Sequence, residues 1–270
     1  MSLPVQRINS AGDRHAVVER LRGLLPHLES RSGGMVSLGV AEIDRHLPQG
    51  GLKAGLLHEF TATAAGDMPA AFGFVIALLG LALGAAGSGL LVLSRRSLAA
   101  FGMPYGHGLA GLGLSPERLL LVETASDPDA LWAVEEALRL RAVGGLAAWI
   151  GTPIGLKASR RLQVAGEGSG AMLFILRPPE ADEANAAATR WRIGAAPAAR
   201  DRFGCFSGRR WQVALERCRN GRPGAWIVEF GGPEWSHGAH PFGLVGRLAD
   251  AALPRRAGPE PRPDPLRHAG

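Results

Sequence analysis

A long uncharged segment, residues 68–94, most limits the folds open to this chain. It is long enough to span a bilayer, but the glycine-rich sequence at 84–89 divides it in two. The first part, 69–83, has the length of a helix, and the second, 90–94, has the length of a strand. An apolar helix followed by an apolar strand is typical of a parallel sheet covered on both faces. We therefore favour a buried α/β core over a membrane span.

Helical and strand patterns alternate along residues 56–177. The predicted strands are 56–60, 90–94, 118–123, 146–151 and 171–177, and the predicted helices are 69–83, 104–112, 128–141 and 157–166. This alternation predicts an α/β fold with a doubly wound, mostly parallel sheet. After Pro178 the pattern changes to period two. It predicts antiparallel strands at one sheet edge, over 189–193, 211–217 and 225–230.

Patterning divides the chain into four regions. They are residues 1–34 (an amphipathic helix at 13–29 and a linker), 35–178 (the α/β core), 179–253 (the edge strands) and 254–270 (a proline-rich tail). The helix carries an apolar stripe that includes Val17, Leu21 and Leu25. That stripe packs either on the chain's own sheet or on a partner.

The junction between the first core strand and the first core helix has the layout of a phosphate-binding loop. A working loop reads G-x-x-x-x-G-K-[ST]: the glycine backbone cradles the phosphates, the lysine neutralises them and the hydroxyl holds Mg²⁺. Here Thr61 stands at the first glycine, Asp67 at the lysine and Met68 at the hydroxyl, and only Gly66 is kept. Because an aspartate repels a triphosphate, we expect no nucleotide cofactor to bind here in the usual way.

No neighbouring lysine replaces the missing one, since the lysines of the chain are Lys53 and Lys157. The net charge of +6 and the isoelectric point near 10.5 permit contact with nucleic acid or an acidic partner without identifying either. We attribute the excess of arginine and alanine to coding bias.

The order of these segments resembles the RecA-like ATPase core, from about Leu38 to Arg177. The sequence from Gly50 to Glu59 is similar to the segment that leads into that family's phosphate loop. The segments 105–114 and 117–122 are similar to its second helix and third strand. The resemblance implies a RecA-like sheet with a degenerate nucleotide site.

Within that superfamily the chain most resembles the inducible-mutagenesis A (ImuA) family, RecA-related accessory factors of error-prone translesion synthesis. Three segments carry the resemblance: Leu57-His58-Glu59 before the loop, residues 158–163 after the fourth strand, and residues 210–221. The resemblance implies two partners, a Y-family-like polymerase subunit and an error-prone replicative-type polymerase complex. Any contact with DNA is expected to be indirect.

Other catalytic positions of a RecA-type ATPase are also altered. The strand after the loop helix should end in a carboxylate that orients the attacking water, but it ends in Ser94, followed by Arg95 and Arg96. A second carboxylate should hold Mg²⁺ through water, but residues 146–151 contain no acid. The polar switch residue after the next strand is replaced by Arg177. We therefore predict no catalytic residues and a protein that is not an enzyme.

Other residue types predict no further chemistry. His237 and His240 are only half of a metal site, so we expect no bound metal. Cys205 and Cys218 form no Cys-x-x-Cys pair and suggest reduced thiols in a cytoplasm. Residues 1–10 lack the apolar core of a signal peptide.

If catalysis is lost, function should lie on surfaces. The candidate partner-binding residues are Trp191, Arg192, Arg209, Arg210 and Trp211. Tryptophan and arginine are frequent interface anchors, and tryptophans beside arginines also suit single-stranded DNA. The alternative is that the indoles fill the core below the late strands.

Three functions remain open from the sequence. The first is a non-catalytic adaptor for translesion polymerase components in the DNA damage response. The second is a RecA-related cell-division inhibitor induced by DNA damage, but such proteins are typically shorter. The third is a diverged active RecA-like ATPase, which the altered positions disfavour.

We predict that residues 254–270 are disordered in the isolated protein. Five prolines in seventeen residues and charges of both signs cannot build a core. Hydrogen exchange should find the backbone amides of the tail unprotected. Protection equal to that of the sheet would contradict the prediction.

Overall fold

The computed structural model describes residues 5–8, 11–24, 34–85, 87–99, 101–141, 143–200, 202–231 and 241–247. The helices are α1 (Ala11–Leu24), α2 (Ala41–Asp44), α3 (Met68–Leu83), α4 (Arg95–Leu98), α5 (Gly106–Ala110), α6 (Asp127–Arg139) and α7 (Leu156–Ser169). The strands are β1 (Val5–Ile8), β2 (Met35–Val36), β3 (Leu52–Lys53), β4 (Leu57–Ala62), β5 (Gly89–Ser94), β6 (Leu119–Thr124), β7 (Gly145–Trp149), β8 (Met172–Arg177), β9 (Thr189–Ala195), β10 (Ala199–Arg200), β11 (Phe206–Cys218), β12 (Gly224–Phe230) and β13 (Phe242–Arg247).

One large sheet organises the described residues. Its strand order is β1-β6-β5-β7-β8-β4-β9-β11-β12-β13, with β10 paired to β11 outside this path. Pairing is parallel from β1 through β9 and antiparallel among β9, β11, β12 and β13. The predicted fold class, an α/β fold with a mostly parallel sheet and antiparallel edge strands, is confirmed.

Two details of the sheet differ from the sequence prediction. β1 was not predicted, and it adds a parallel strand beside β6. β9 was predicted as antiparallel, but it pairs in parallel with β4 and antiparallel only with β11. The reason is the connection 178–188, which brings the chain back to the opposite end of the sheet without a helix. A crossover of about a dozen residues is long enough to join parallel strands.

α3 lies against one face of the sheet, and α6 and α7 cover the other. Phe74, Ile76 and Leu79 of α3 are fully buried in the hydrophobic core on the α3 side of the sheet. Among the described residues one helical stretch, Ala65–Leu83, is long and apolar enough to cross a membrane. The burial of its side chains supports the interpretation as a core helix, because such helices have the same composition.

α1 packs on the chain's own helix α6. Val17 is buried, and the Arg14 guanidinium pairs with Asp129 and lies 5.0 Å from the ring centroid of Trp132. The apolar stripe of this helix was expected to pack either on the chain's own sheet or on a partner. Val17 follows the first option, because it is buried in the chain's own core. The rest of the predicted helix, residues 25–29, lies outside the described residues, as do 232–240, with Trp235, His237 and His240, and the tail 254–270.

His58 is buried in the centre of the sheet and is held as a neutral imidazole. Its Nε2 donates to the Lys53 carbonyl oxygen (3.0 Å), and its Nδ1 lies 2.9 Å from Thr189 Oγ1. The Thr189 hydroxyl accepts from Trp191 Nε1 (2.8 Å) and is thus free to donate to Nδ1. Burial lowers the pKa of His58 to about 4, although the hydrogen bond to Lys53 opposes this shift.

We predict that His58 makes the folded state sensitive to acid. Because its folded pKa is below the unfolded value, the unfolded chain takes up a proton first as the pH falls. The stabilisation is present above pH ~6.5 and is lost between about pH 6.5 and pH 4, amounting to about 3 kcal/mol. Urea unfolding of the wild type and His58→Gln across this range should show their stability difference shrinking as the pH falls. A difference that does not change with pH would contradict the prediction.

Candidate functional site

The degenerate loop joins the central strand β4 to the buried helix α3. β4 ends at Ala62, a 3₁₀ turn spans Ala65–Asp67, and α3 begins at Met68. Asp67 and Met68 therefore lie at the helix start, where a phosphate loop carries its lysine and hydroxyl. Gly66 is exposed, and a Cβ on it would meet nothing within 4 Å.

Asp67 ties the loop to the neighbouring strand β9. Its Oδ1 accepts from the Ala195 backbone N–H (3.1 Å), and the Thr63 N–H donates to the Ile193 carbonyl (2.8 Å). A Cβ on Gly194 would lie 2.8 Å from Thr63 Oγ1, so glycine lets the loop sit directly on β9. The carboxylate stands at the N-terminus of α3, where the helix dipole favours an anion. Asp67 therefore places a negative charge at the start of α3.

The two remaining loop positions are also used for packing. Thr61 is fully buried, and its hydroxyl donates to the Trp191 carbonyl (3.3 Å). The Met68 side chain is buried in the core under α3 and offers no oxygen to a cation. Two unit charges 4 Å apart repel by about 4 kcal/mol near a protein surface. Neither Thr61 nor Met68 carries a positive charge that could offset that repulsion between Asp67 and a phosphate.

The two expected catalytic carboxylates are replaced by structural groups. After β5, Ser94 caps α4 by accepting from the Ser97 N–H, and Arg95 Nε donates to Glu123 (3.2 Å). At the end of β7, Trp149 packs on Phe72 and Phe101, with ring centroids 5.4 and 5.8 Å away. The side chains at these strand ends therefore hold helices and loops in place.

Asp127 is a nearby carboxylate that the sequence analysis did not single out. It is buried at the start of α6, and its Oδ1 accepts from the Gly151 N–H just beyond β7 (3.1 Å). β5 lies between β6 and β7 in the sheet, so the start of α6, which follows β6, comes close to the end of β7. The sequence alone does not show this proximity. Since it bonds to the backbone, it acts as a structural acceptor.

Arg177, at the switch position after β8, is buried in an ion-pair cluster. Its Nη1 lies 2.7 Å from Glu59 Oε1, and its Nη2 donates to Glu183 Oε2 (2.7 Å). Glu59 Oε2 also accepts from Arg190 Nε (2.9 Å) and Asn185 Nδ2 (2.7 Å). We name these five residues the Glu59 cluster. Arg177 is held in this cluster by ion pairs to Glu59 and Glu183.

The segments that carried the family resemblance meet around the Glu59 cluster. The Leu57 N–H donates to Gln163 Oε1 (2.9 Å), which joins β4 to α7. Ser159 Oγ accepts from the Ala186 N–H (3.0 Å), and Arg217 donates to the Ala187 carbonyl (2.9 Å). Each contact holds the connection 178–188 or α7 against the central strands. These motif residues therefore have a structural role, which their distance along the sequence concealed.

The structure does not bring the five partner candidates together on one surface. Trp191 and Trp211 are 1% and 3% exposed. Trp191 stacks on Phe60 at 6.3 Å, and Trp211 contacts Phe74 at 5.5 Å, so both indoles fill the core, as in the alternative.

The three arginines of the set have separate contacts. Arg192 pairs with Glu216, and Arg210 Nε donates to Glu229 (2.5 Å). Arg209 is exposed and donates to the Gly111 carbonyl (3.0 Å). Of the five candidates, Arg209 is the side chain most accessible to a partner.

The described residues give little support to a nucleophilic cysteine site or to a metal site. A cavity of about 210 Å³ lies at the opposite end of β4, beside His58, Thr189 and Cys218. Burial raises the pKa of the Cys218 thiol, which makes it a poor nucleophile. Within the described ranges no three His, Cys, Asp or Glu side chains form a group that could hold a metal ion.

The chain shares sequence with proteins of a bacterium. It is 37% identical over 233 residues to "Protein ImuA" of Caulobacter vibrioides (strain NA1000 / CB15N), covering 80% of this chain and 91% of that protein. "Protein ImuA" of Caulobacter vibrioides (strain ATCC 19089 / CIP 103742 / CB 15) matches to the same extent. No protein-family model matches the chain.

We predict that the purified protein does not bind Mg-ATP. The loop lacks its lysine and hydroxyl, and Asp67 adds a repulsive charge. Titration calorimetry should show no saturable heat for the wild type. It should show none for Asp67→Ala either, because this variant removes the repulsion without restoring a ligand. Micromolar binding, or ATP turnover that Asp67→Ala abolishes, would contradict the loss of nucleotide chemistry.

Proposed function

The chain belongs to the ImuA family, and we propose that it is a non-catalytic accessory protein of damage-inducible, error-prone translesion DNA synthesis. In this role it acts as an adaptor that recruits or positions polymerase components in the cytoplasm. Its partners are a Y-family-like polymerase subunit and an error-prone replicative-type polymerase complex. The family supports a part in mutagenesis, and the adaptor role is the mechanism that we propose for that part.

The bond from the Ala195 N–H to the Asp67 carboxylate is the observation that carries the proposal. In an ATPase this position needs a cation that is free to contact phosphate. Here a carboxylate is used to attach the loop to β9. The site therefore acts as a joint within the fold, which supports a function through binding and not through hydrolysis.

The Glu59 cluster supports the same conclusion from a second position. Arg177 is 1% exposed and bound to two glutamates, Glu59 and Glu183. A switch residue must change its contacts when nucleotide is hydrolysed. Breaking a buried ion pair costs about 3–5 kcal/mol, so this side chain is poorly suited to switching.

We propose that the partner surface lies in residues 179–253, on the late strands β11 and β13. Arg209 is exposed there. Leu244 and Val245 are exposed on β13, the last strand of the sheet among the described residues. A terminal strand with exposed apolar side chains suits a partner that adds its own strand. The ImuA relationship favours this adaptor role over the cell-division inhibitor.

We predict that Arg209→Glu reduces capture of the polymerase partner from DNA-damaged cells by more than tenfold. Reversing an interface charge costs several kcal/mol, and the structural contact of Arg209 is to a backbone carbonyl, that of Gly111. The measurement is a pull-down with the tagged full-length chain, followed by identification of the captured proteins.

The matched control is Arg160→Glu, which reverses an exposed charge on α7. Capture should remain at the wild-type level for this control. Deletion of the late region is a poorer test, because β9 covers the edge of β4 and its loss would expose the core. Equal capture by Arg209→Glu and the wild type would place the surface elsewhere.

A further inference from the structure

The hairpin formed by β10 and β11 exposes two aromatic rings. β10 ends at Arg200 and β11 begins at Phe206, and the described part of their connection is residues 202–205. Phe203 and Phe206 are each 75% exposed, the highest fractions among the described large hydrophobic side chains. Neither ring contributes to the buried cores in the described structure. Exposed phenylalanine rings leave apolar area in water, and a ligand that covers it gains binding free energy.

Each exposed ring has an arginine beside it. The guanidinium carbon of Arg200 lies 4.6 Å from the Phe206 ring centroid, and that of Arg202 lies 4.7 Å from the Phe203 ring centroid. Arg200 Nη1 also donates to the Gly204 carbonyl (2.7 Å), which fixes it to the turn. Cation–π contacts of this kind hold positive charge next to the rings.

The composition of the hairpin favours nucleic acid over a protein partner. Residues 200–206 contain two arginines, one aspartate and two phenylalanines, but no leucine, isoleucine, valine or methionine. A protein interface core is enriched in contiguous apolar side chains. Aromatic rings interleaved with arginines instead match single strands, whose bases stack on the rings while their phosphates contact the cations.

We propose that the β10–β11 hairpin binds single-stranded nucleic acid, with bases stacked on Phe203 and Phe206 and phosphates near Arg200 and Arg202. This site lies apart from the degenerate loop and differs from the indirect DNA contact that the family resemblance implies. It does not rest on the adaptor role, because the purified chain alone tests it.

The experiment is fluorescence anisotropy with the full-length protein and labelled single strands, dT20 and rU20 in separate arms. Phe203→Ala/Phe206→Ala should weaken binding at least about tenfold, because each stacked base depends on a ring. Phe203→Trp/Phe206→Trp should keep wild-type affinity. Arg202→Ala should lower the slope of log affinity against log salt by about 0.7, the value for one phosphate contact on a single strand.

Val164→Ala and Arg160→Ala are the matched controls, since they remove an exposed apolar and an exposed basic side chain from α7. Both should bind as the wild type does, and all variants should unfold at the same temperature. A loss specific to the hairpin supports the proposal, and the two arms tell DNA from RNA. Wild-type affinity in the double alanine variant would overturn it. Failure of the wild type to bind either strand at low salt would also overturn it. This holds even if the double alanine variant loses a protein partner, because that loss would assign the rings to protein binding.

Discussion

The buried carboxylate of Glu59 is the constraint on which the centre of this structure depends. It lies in the central strand β4 at 1% exposure, where an unpaired charge would cost several kcal/mol. Arg177 from the end of β8, Arg190 from the start of β9 and Asn185 from their connection all reach it within 2.9 Å. To satisfy one charge, the chain must bring two strands and an irregular segment together at one point. This explains why the connection 178–188 is held by so many polar contacts.

The polar groups near the strand ends are also held by contacts within the fold, which supports the proposed absence of ATPase chemistry. Nucleotide hydrolysis needs side chains that change partners between states, but here each corresponding group is bound within the fold. Asp67 holds the loop to β9, Arg177 neutralises Glu59, and Asp127 accepts from the backbone beyond β7. A RecA-like sheet keeps its shape under these substitutions because its apolar cores, not its nucleotide site, hold it together. The proposed function therefore relies on surfaces, and the late region carries the exposed Arg209 and the exposed rings of Phe203 and Phe206.

Local patterns succeeded where one segment decides its own structure. The uncharged segment 68–94 predicted a buried helix and strand, and α3 and β5 occupy those residues. The loop substitutions at Asp67 and Met68 were also visible, because a phosphate loop has fixed spacing. The patterns failed where distant segments meet. Trp191 and Trp211 were candidate anchors, but Phe60 and Phe74 from other elements surround them in the core.

The sequence by itself determined the α/β class, the absence of the phosphate-loop lysine and hydroxyl at positions 67 and 68, and the resemblance to the ImuA family. These follow from periodicity and from residue types at fixed local spacing. Only the tertiary structure decided the parallel placement of β9, the Glu59 cluster and the exposure of Phe203 and Phe206. The reason is that burial and charge pairing depend on which strands become neighbours. Glu59 and Arg190 are 131 positions apart along the chain, and only the pairing of β4 with β9 makes them partners.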